Sequence, residues 1–284
     1  MPAPFGADAS VGILPASPVP AARLGSSIPV SQPLVCRAFE GLCNRINGIA
    51  SALATGREVE LHWAVNKQCP VRFEEVFQPI PGLTVINEEI LSYRYITSRH
   101  QLCWFYPRNI EKLPLQEFRQ RLYAAYRQVL DALLVTCWAH PTPPAVGLHL
   151  RSFLPDSTPV DTFARDAIDH IQRLGARSAH LATDHFESGQ KAILLLQAAG
   201  IDVSFNAGTR SKHDLDRSHD GIMTMCADLR SLSECKQGIL VNSCRSTVAD
   251  VLRGHGIAGI TTFAGGREAG LDDLFELQNL EEQN

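Results

Sequence analysis

Three short apolar runs in the second half of the chain end on groups able to do polar chemistry. Ala145-Val146-Gly147-Leu148-His149-Leu150-Arg151 stops on a histidine and an arginine. Ser178-Ala179-His180-Leu181-Ala182-Thr183-Asp184 stops on a hydroxyl and a carboxylate. Gly238-Ile239-Leu240-Val241-Asn242 leads into Ser243-Cys244-Arg245-Ser246-Thr247 and a helical pattern. Buried strands that deliver charge at their carboxyl ends describe an open α/β sheet with a ligand crevice along that edge. An arginine near a hydroxyl-rich helix start suits an anionic ligand, phosphate above all. The guanidinium offers a planar fork of donors, and the first N–H groups of the helix are unspent.

The periodicities supply elements to hold these ends in one place. Leu34-Val35-Cys36-Arg37-Ala38-Phe39 suits a short buried strand. Gly41-Leu42-Cys43-Asn44-Arg45 then makes a tight turn before a helix whose Ile46, Ile49, Ala50 and Leu53 share one face. Gly56 closes that helix. Glu58-Val59-Glu60-Leu61-His62-Trp63 alternates as a strand should, completing a βαβ unit. Next come a short segment at Phe73–Phe77, a strand at Leu83–Ile86 and another near Tyr93–Thr97. A long amphipathic helix starts at Leu115, with Phe118, Leu122, Tyr126, Val129, Leu133 and Cys137 on its buried stripe. Pro141-Thr142-Pro143-Pro144 ends it and marks a domain boundary.

Strand and helix then alternate regularly: strand 145–150, helix 160–174, strand 178–182, helix 187–199 and strand 201–205. Helix 221–235, strand 238–242, helix 246–253 and strand 258–263 complete a parallel, doubly wound series. The expected organisation is an arm over 1–32, an α/β domain over 33–140, a second over 141–264 and an acidic helical tail over 265–284. The two α/β domains face each other across a cleft in this reading.

Composition narrows the function classes. The 284 residues are 45% hydrophobic and 20% charged, with a net charge of −4, and show no clustered Lys/Arg face for nucleic acid. No apolar stretch is long enough to span a bilayer. The eight cysteines form no C-x-x-C pair, which argues against a zinc site and for reduced core thiols in a cytosolic compartment. An even cysteine count leaves disulfides open. The Ala-, Pro-, Ser- and Gly-rich arm lacks an apolar core and reads as disordered, with a non-classical delivery signal as the alternative.

Gly41-Leu42-Cys43-Asn44-Arg45, His149-Leu150-Arg151, Leu181-Ala182-Thr183-Asp184, Asp228-Leu229-Arg230-Ser231-Leu232-Ser233 and Ser246-Thr247 occur in one order over residues 34–263. Together they resemble the α1,6-fucosyltransferase and protein O-fucosyltransferase superfamily, including the bacterial nodulation fucosyltransferases. The resemblance implies a GT-B fold, two Rossmann-like domains facing across a cleft. It also implies a nucleotide-sugar donor, GDP-fucose in characterised relatives, and inverting transfer with no cofactor or obligatory metal.

On that resemblance Arg151 binds the donor's β-phosphate, with His149 beside it toward the nucleotide or sugar. A surface ion pair and a hydrogen-bonded core histidine are the plainer readings of these two. Ser246 and Thr247 hold the diphosphate at a helix start or simply cap it. Asp184 and Asp228 accept from base, ribose or sugar groups, and Asn44 and Arg45 reach the crevice from the first domain. Relatives carry a second arginine and a nearby acid after the histidine–arginine pair; here Ser152-Phe153-Leu154-Pro155-Asp156 follows. Asp156 and Asp161 are the candidate bases, with solvated loop carboxylates as the alternative.

The sequence does not choose among a glycan, a protein hydroxyl and a lipid-linked sugar as acceptor. A non-catalytic nucleotide-sugar-binding protein on the same scaffold is the competing function. A dinucleotide-dependent dehydrogenase fits poorly, because no G-x-G-x-x-G turn follows the first strand.

Overall fold

Alternation along the strands decides which face each side chain takes, and through that where the polar groups emerge. A computed structural model describes residues 33–38, 40–89, 114–134, 143–151, 158–206, 217–242, 247–257 and 259–262. The strand expected near Tyr93–Thr97, the N-terminal arm, the acidic tail, Asp156 and Ser246 lie outside those residues.

Two parallel sheets result. The first has β1 (Leu34–Ala38), β2 (Val59–Val65) and β3 (Leu83–Glu89) in the order β1-β2-β3. The second has β4 (Val146–Leu150), β5 (Ser178–Thr183), β6 (Asp202–Phe205), β7 (Ile239–Val241) and β8 (Ile260–Thr262). Its order is β6-β5-β4-β7-β8. From β4 the chain winds outward through β5 to β6, then returns to place β7 on the other side of β4. The order reverses between β4 and β7, and at such a switch point a crevice opens outside the carboxyl ends of the strands.

Helices cover both faces of the second sheet. On one face Val146, Leu148, Leu150, Ala179, Leu181 and Leu240 pack with α4 (Val160–Arg173) and α5 (Phe186–Ala198). Helix α4 sends Phe163, Ala167 and Ile171 into that core at i, i+4 and i+8. On the other face Ala182, Ile239 and Val241 pack with α6 (His219–Ser233) and α7 (Thr247–His255). Gly147 belongs to this second face: a Cβ there would come within 2.9 Å of Leu232 and Ile239, so its absence lets α6 lie close on the sheet.

The core on the α6–α7 face continues into the first sheet. It includes α1 (Leu42–Leu53), α3 (Leu115–Asp131) and the short α2 (Phe73–Val76). Helix α7 approaches α3 so closely that any Cβ on Gly254 would overlap the Tyr126 ring. Among the described residues from Pro33 onward the two sheets thus share one apolar cluster.

The structure moves two expected boundaries. Helix α3 ends at Asp131, well short of Pro141, because the next residues pair elsewhere. Leu134 N–H donates to Val76 O, and Gln78 N–H donates to Ala132 O, so Leu133 is buried beside Phe77 rather than on a helical stripe. Helix α1 begins at Leu42 with Gly41 as an N-cap of extended backbone. Asn44 and Arg45 therefore lie on its first turn, not in a turn before it. Gly56 stands three residues past α1 at φ +76°, a conformation that favours glycine.

Candidate functional site

Leu150 and Thr183 are register partners, so the residues that follow them, Arg151 and Asp184, emerge side by side at the carboxyl edge of β4 and β5. Arg151 Nε lies 3.1 Å from Asp184 Oδ2, with side-chain exposures of 16% and 11%. The atoms attract as charges but are not in line for a hydrogen bond, and among the described residues Arg151 Nε has no aligned acceptor. The carboxylate thus neutralises part of the guanidinium and sets its direction.

His149 is buried two residues before Arg151, on the same strand face. Thr247, the first residue of α7, follows β7 on the other side of the switch point. Its side chain hydrogen-bonds with Cys43 on the first turn of α1, and the charge of Arg151 also acts on that thiol. Burial nevertheless pushes the Cys43 thiol up to about 12, so it stays protonated and unreactive. These contacts bring the N-terminal turn of α1, the start of α7 and the end of β4 together. Arg151, Asp184 and Thr247 are thereby brought to one edge, with His149 on the strand that ends at Arg151.

Asn44 stands at the exposed start of α1, where its amide donates to Glu40 at 2.6 Å. It does not cap the helix. Arg45 turns inward and is 1% exposed. Its Nη1 donates to Ala64 O at 2.7 Å, Nη2 to Asn66 Oδ1 at 3.3 Å and Nε to Glu40 O. The guanidinium also sits 4.4 Å over the Trp63 ring. The structure does not bring the Arg45 side chain to the edge that holds Arg151.

Asp228 is likewise buried, within α6. Its Oδ1 accepts from Asn206 Nδ2 at 2.7 Å and lies 3.3 Å from His180 Nε2. His180 Nδ1 in turn meets Ser204 Oγ at 3.0 Å. This chain of four polar groups braces β5 and β6 against α6. Asp161 faces outward on the first turn of α4, 2.5 Å from Lys191 Nζ, with both side chains more than half exposed.

Three contributors were not singled out from sequence. Arg217, just before α6, carries its guanidinium to Gly41, where an added Cβ would touch Nη1 at 3.5 Å. Nothing in the polar run around Arg217 signals this; only the fold places it beside α1. Asp250 lies one turn along α7 from Thr247. Burial pushes its carboxyl up to about 6, against the lowering effect of Arg253 at 3.3 Å. The i, i+3 spacing from Thr247 was a readable signal for that placement. The third is Asn242, which closes β7. Among the described residues no group of three or more His, Cys, Asp or Glu could hold a metal ion, and no helix is long and apolar enough to cross a membrane.

No family model matches the chain, and no curated protein matches it. Among solved structures, the apo-form of POFUT1, a protein O-fucosyltransferase, is similar with a TM-score of 0.47 at 10% identity. The match covers 84% of this chain and 99% of that one. POFUT1 in complex with GDP-fucose gives a TM-score of 0.45 at 11% identity, over 86% and 100% of the two chains. POFUT1 in complex with GDP gives 0.41 at 10%, over 81% and 98%.

Proposed function

We propose that the chain is a glycosyltransferase of GT-B type that transfers a sugar from a nucleoside-diphosphate donor to an acceptor hydroxyl with inversion. The observation that carries this reading is the group at the switch point. A guanidinium at the end of β4 and a hydroxylated helix start after β7 flank the place where the strand order reverses. A diphosphate seated there meets the Arg151 fork, the Thr247 hydroxyl and the positive end of the α7 dipole.

Arg151 then has a catalytic role. As the acceptor oxygen attacks the anomeric carbon, the bond to the diphosphate breaks and negative charge grows on the leaving oxygens. A guanidinium already fixed in direction stabilises that charge more in the transition state than in the ground state. Asp184 orients Arg151, and His149 lies beside it on the nucleotide side. Thr247 is paired with Ser246 in holding the diphosphate, as the sequence resemblance implies, and no metal is required. GDP and fucose come from that resemblance alone, as does an acceptor that is a glycan or a protein hydroxyl. Arg45 and Asp228 serve this site from behind, by bracing its walls.

The test is titration of the folded protein and Arg151→Ala with GDP, UDP and ADP, followed by GDP-fucose with an acceptor panel. Selective GDP binding that Arg151→Ala weakens by about a hundredfold, roughly the worth of one charge-assisted contact, supports the donor site. No binding by any diphosphate overturns it.

A second reading, recognition of a nucleotide sugar without transfer, is favoured by one observation. Among the described residues, two of the candidate carboxylates are engaged, Asp184 with Arg151 and Asp161 with Lys191. Glycosylated product from any acceptor decides against that reading.

A further inference from the structure

Arg151 stands one residue beyond the end of β4, and β7 on its open side has also ended, at Val241. Its peptide groups therefore lack a strand neighbour to complete the ladder. The Asn242 side chain takes that neighbour's place. Oδ1 accepts from the Arg151 N–H at 2.6 Å, and Nδ2 donates to Arg151 O at 2.8 Å. The same Nδ2 donates to Thr158 O at 3.2 Å. The backbone of Asn242 adds two more bonds: its N–H donates to His149 O at 3.3 Å, and its carbonyl accepts from Thr158 N–H at 3.0 Å.

One fully buried residue thus joins the end of β4, the end of β7 and the approach to α4. The orientation of its amide follows from its partners. Arg151 N–H can only donate and the two carbonyls can only accept, so a flipped amide would set like against like at three contacts. No other side chain of this size offers one acceptor and two donors in that arrangement.

We propose that Asn242 is a positioning residue for Arg151: by holding both backbone groups of that residue it fixes where the guanidinium points. Asp184 fixes the far end of the same side chain, so Arg151 is held at both ends before any ligand arrives. Preorganisation of this kind matters because a misdirected charge stabilises a growing charge poorly. The inference rests on the diphosphate reading for its consequence, though not for its geometry.

The experiment has two arms. Hydrogen–deuterium exchange over residues 147–158 reads the clamp without ligand. In Asn242→Ser the amide of Arg151, which donates to the side chain removed, is expected to exchange at least about tenfold faster, as a lost hydrogen bond of this kind requires. Unchanged exchange overturns the clamp whatever the protein binds.

The second arm titrates GDP into wild type, Asn242→Ser, Arg151→Ala and the double variant. Asn242→Ser is expected to weaken binding about tenfold in the wild-type background and not at all in the Arg151→Ala background, the signature of residues that act as a unit. Equal losses in both backgrounds, or no loss in either, overturn the positioning role. A wild type that binds no diphosphate sinks the donor reading, while the exchange arm still decides the clamp.

Asn242→Asp supplies the rescue, and stands in if Asn242→Ser does not fold. Once protonated, its carboxyl again offers one acceptor and one donor. Its GDP affinity relative to wild type is therefore expected to recover as pH falls, and the serine variant's is not. A ratio that stays flat with pH overturns the role assigned to the donor group.

Discussion

Arg151 stands one residue past β4 and Arg45 on the first turn of the helix that follows β1, yet the molecule uses them in opposite ways. Arg45 is spent on structure: its partners are two backbone carbonyls, an asparagine oxygen and the face of Trp63. Arg151 has its backbone held by Asn242 and its guanidinium directed by the Asp184 carboxylate. A guanidinium enclosed by carbonyls is satisfied and inert. One that is aimed but not hydrogen-bonded through Nε retains the capacity to bind an anion. Residue type and strand-end placement do not separate these roles; the partners do.

The most direct way to break the comparison is to remove each arginine. Arg45→Ala removes the donors to Glu40 O, Ala64 O and Asn66 Oδ1. We expect a loss of about 3 kcal/mol or more in urea unfolding, with the nucleotide affinity of the folded fraction within about twofold of wild type. A large fall in affinity would mean that Arg45 belongs to the site after all.

Arg151→Ala takes away the positive charge beside Asp184, and its cost should be partly reversible. Adding Asp184→Asn is expected to recover roughly 1 kcal/mol of the stability lost, since a largely buried carboxylate that has lost a countercharge becomes a neutral amide. Binding stays lost in the double variant. No single substitution should repair Arg45→Ala in that way, and finding one would erase the distinction.

The seam that joins the two sheets offers a control remote from both arginines. Gly254→Ala forces a methyl group into the Tyr126 ring, at an expected cost of about 1–3 kcal/mol. Thermal unfolding should fall as one transition if the shared core is one cooperative unit. Two separated transitions would show the sheets unfolding independently.

The smallest effect is a pH dependence. The carboxyl of Asp250 is raised to about 6 in the folded protein, from an ordinary value near 4. Between those limits the unfolded chain ionises while the folded one resists, so wild-type stability falls as pH rises through that window and is level above it. Asp250→Asn removes this dependence. Its melting temperature relative to wild type should climb from pH 4 to pH 6, and a constant difference would deny the buried carboxyl. The side chain keeps 24% of its surface exposed, which limits the size of the change.

Much of the scaffold was legible in the sequence because its signals are local. Runs such as Val146–Leu150 and Ser178–Thr183 are apolar throughout, as doubly covered parallel strands require, and the structure places strands there. The boundary of α3 was not legible. Leu133 continues the helical period, and only the distant partners Val76 and Gln78 draw its neighbours into bridge pairing.

The site divides along the same line. Arg151 and Asp184 stand at the ends of readable strands, and register alone brings them together. Arg45 looked like a cleft residue because nothing nearby in sequence announces Ala64, Asn66 or Trp63 as partners. Asn242 was visible as the end of a strand, but its contacts lie 84 and 91 positions away. Pattern reading does not reach that far.

The strand order β6-β5-β4-β7-β8 also has a consequence for how the molecule assembles. The partners β4, β5 and β6 lie close in sequence and can associate early, at small cost in loop closure. β7 has to return across a long intervening stretch to pair with β4, so that pairing comes late. Asn242 travels with β7, and Arg151 is therefore not held until the last strands are in place. A partly folded chain with β4, β5 and β6 already built would carry Arg151 and Asp184 and still have no fixed guanidinium. Completion of the sheet and readiness of the site are then a single event.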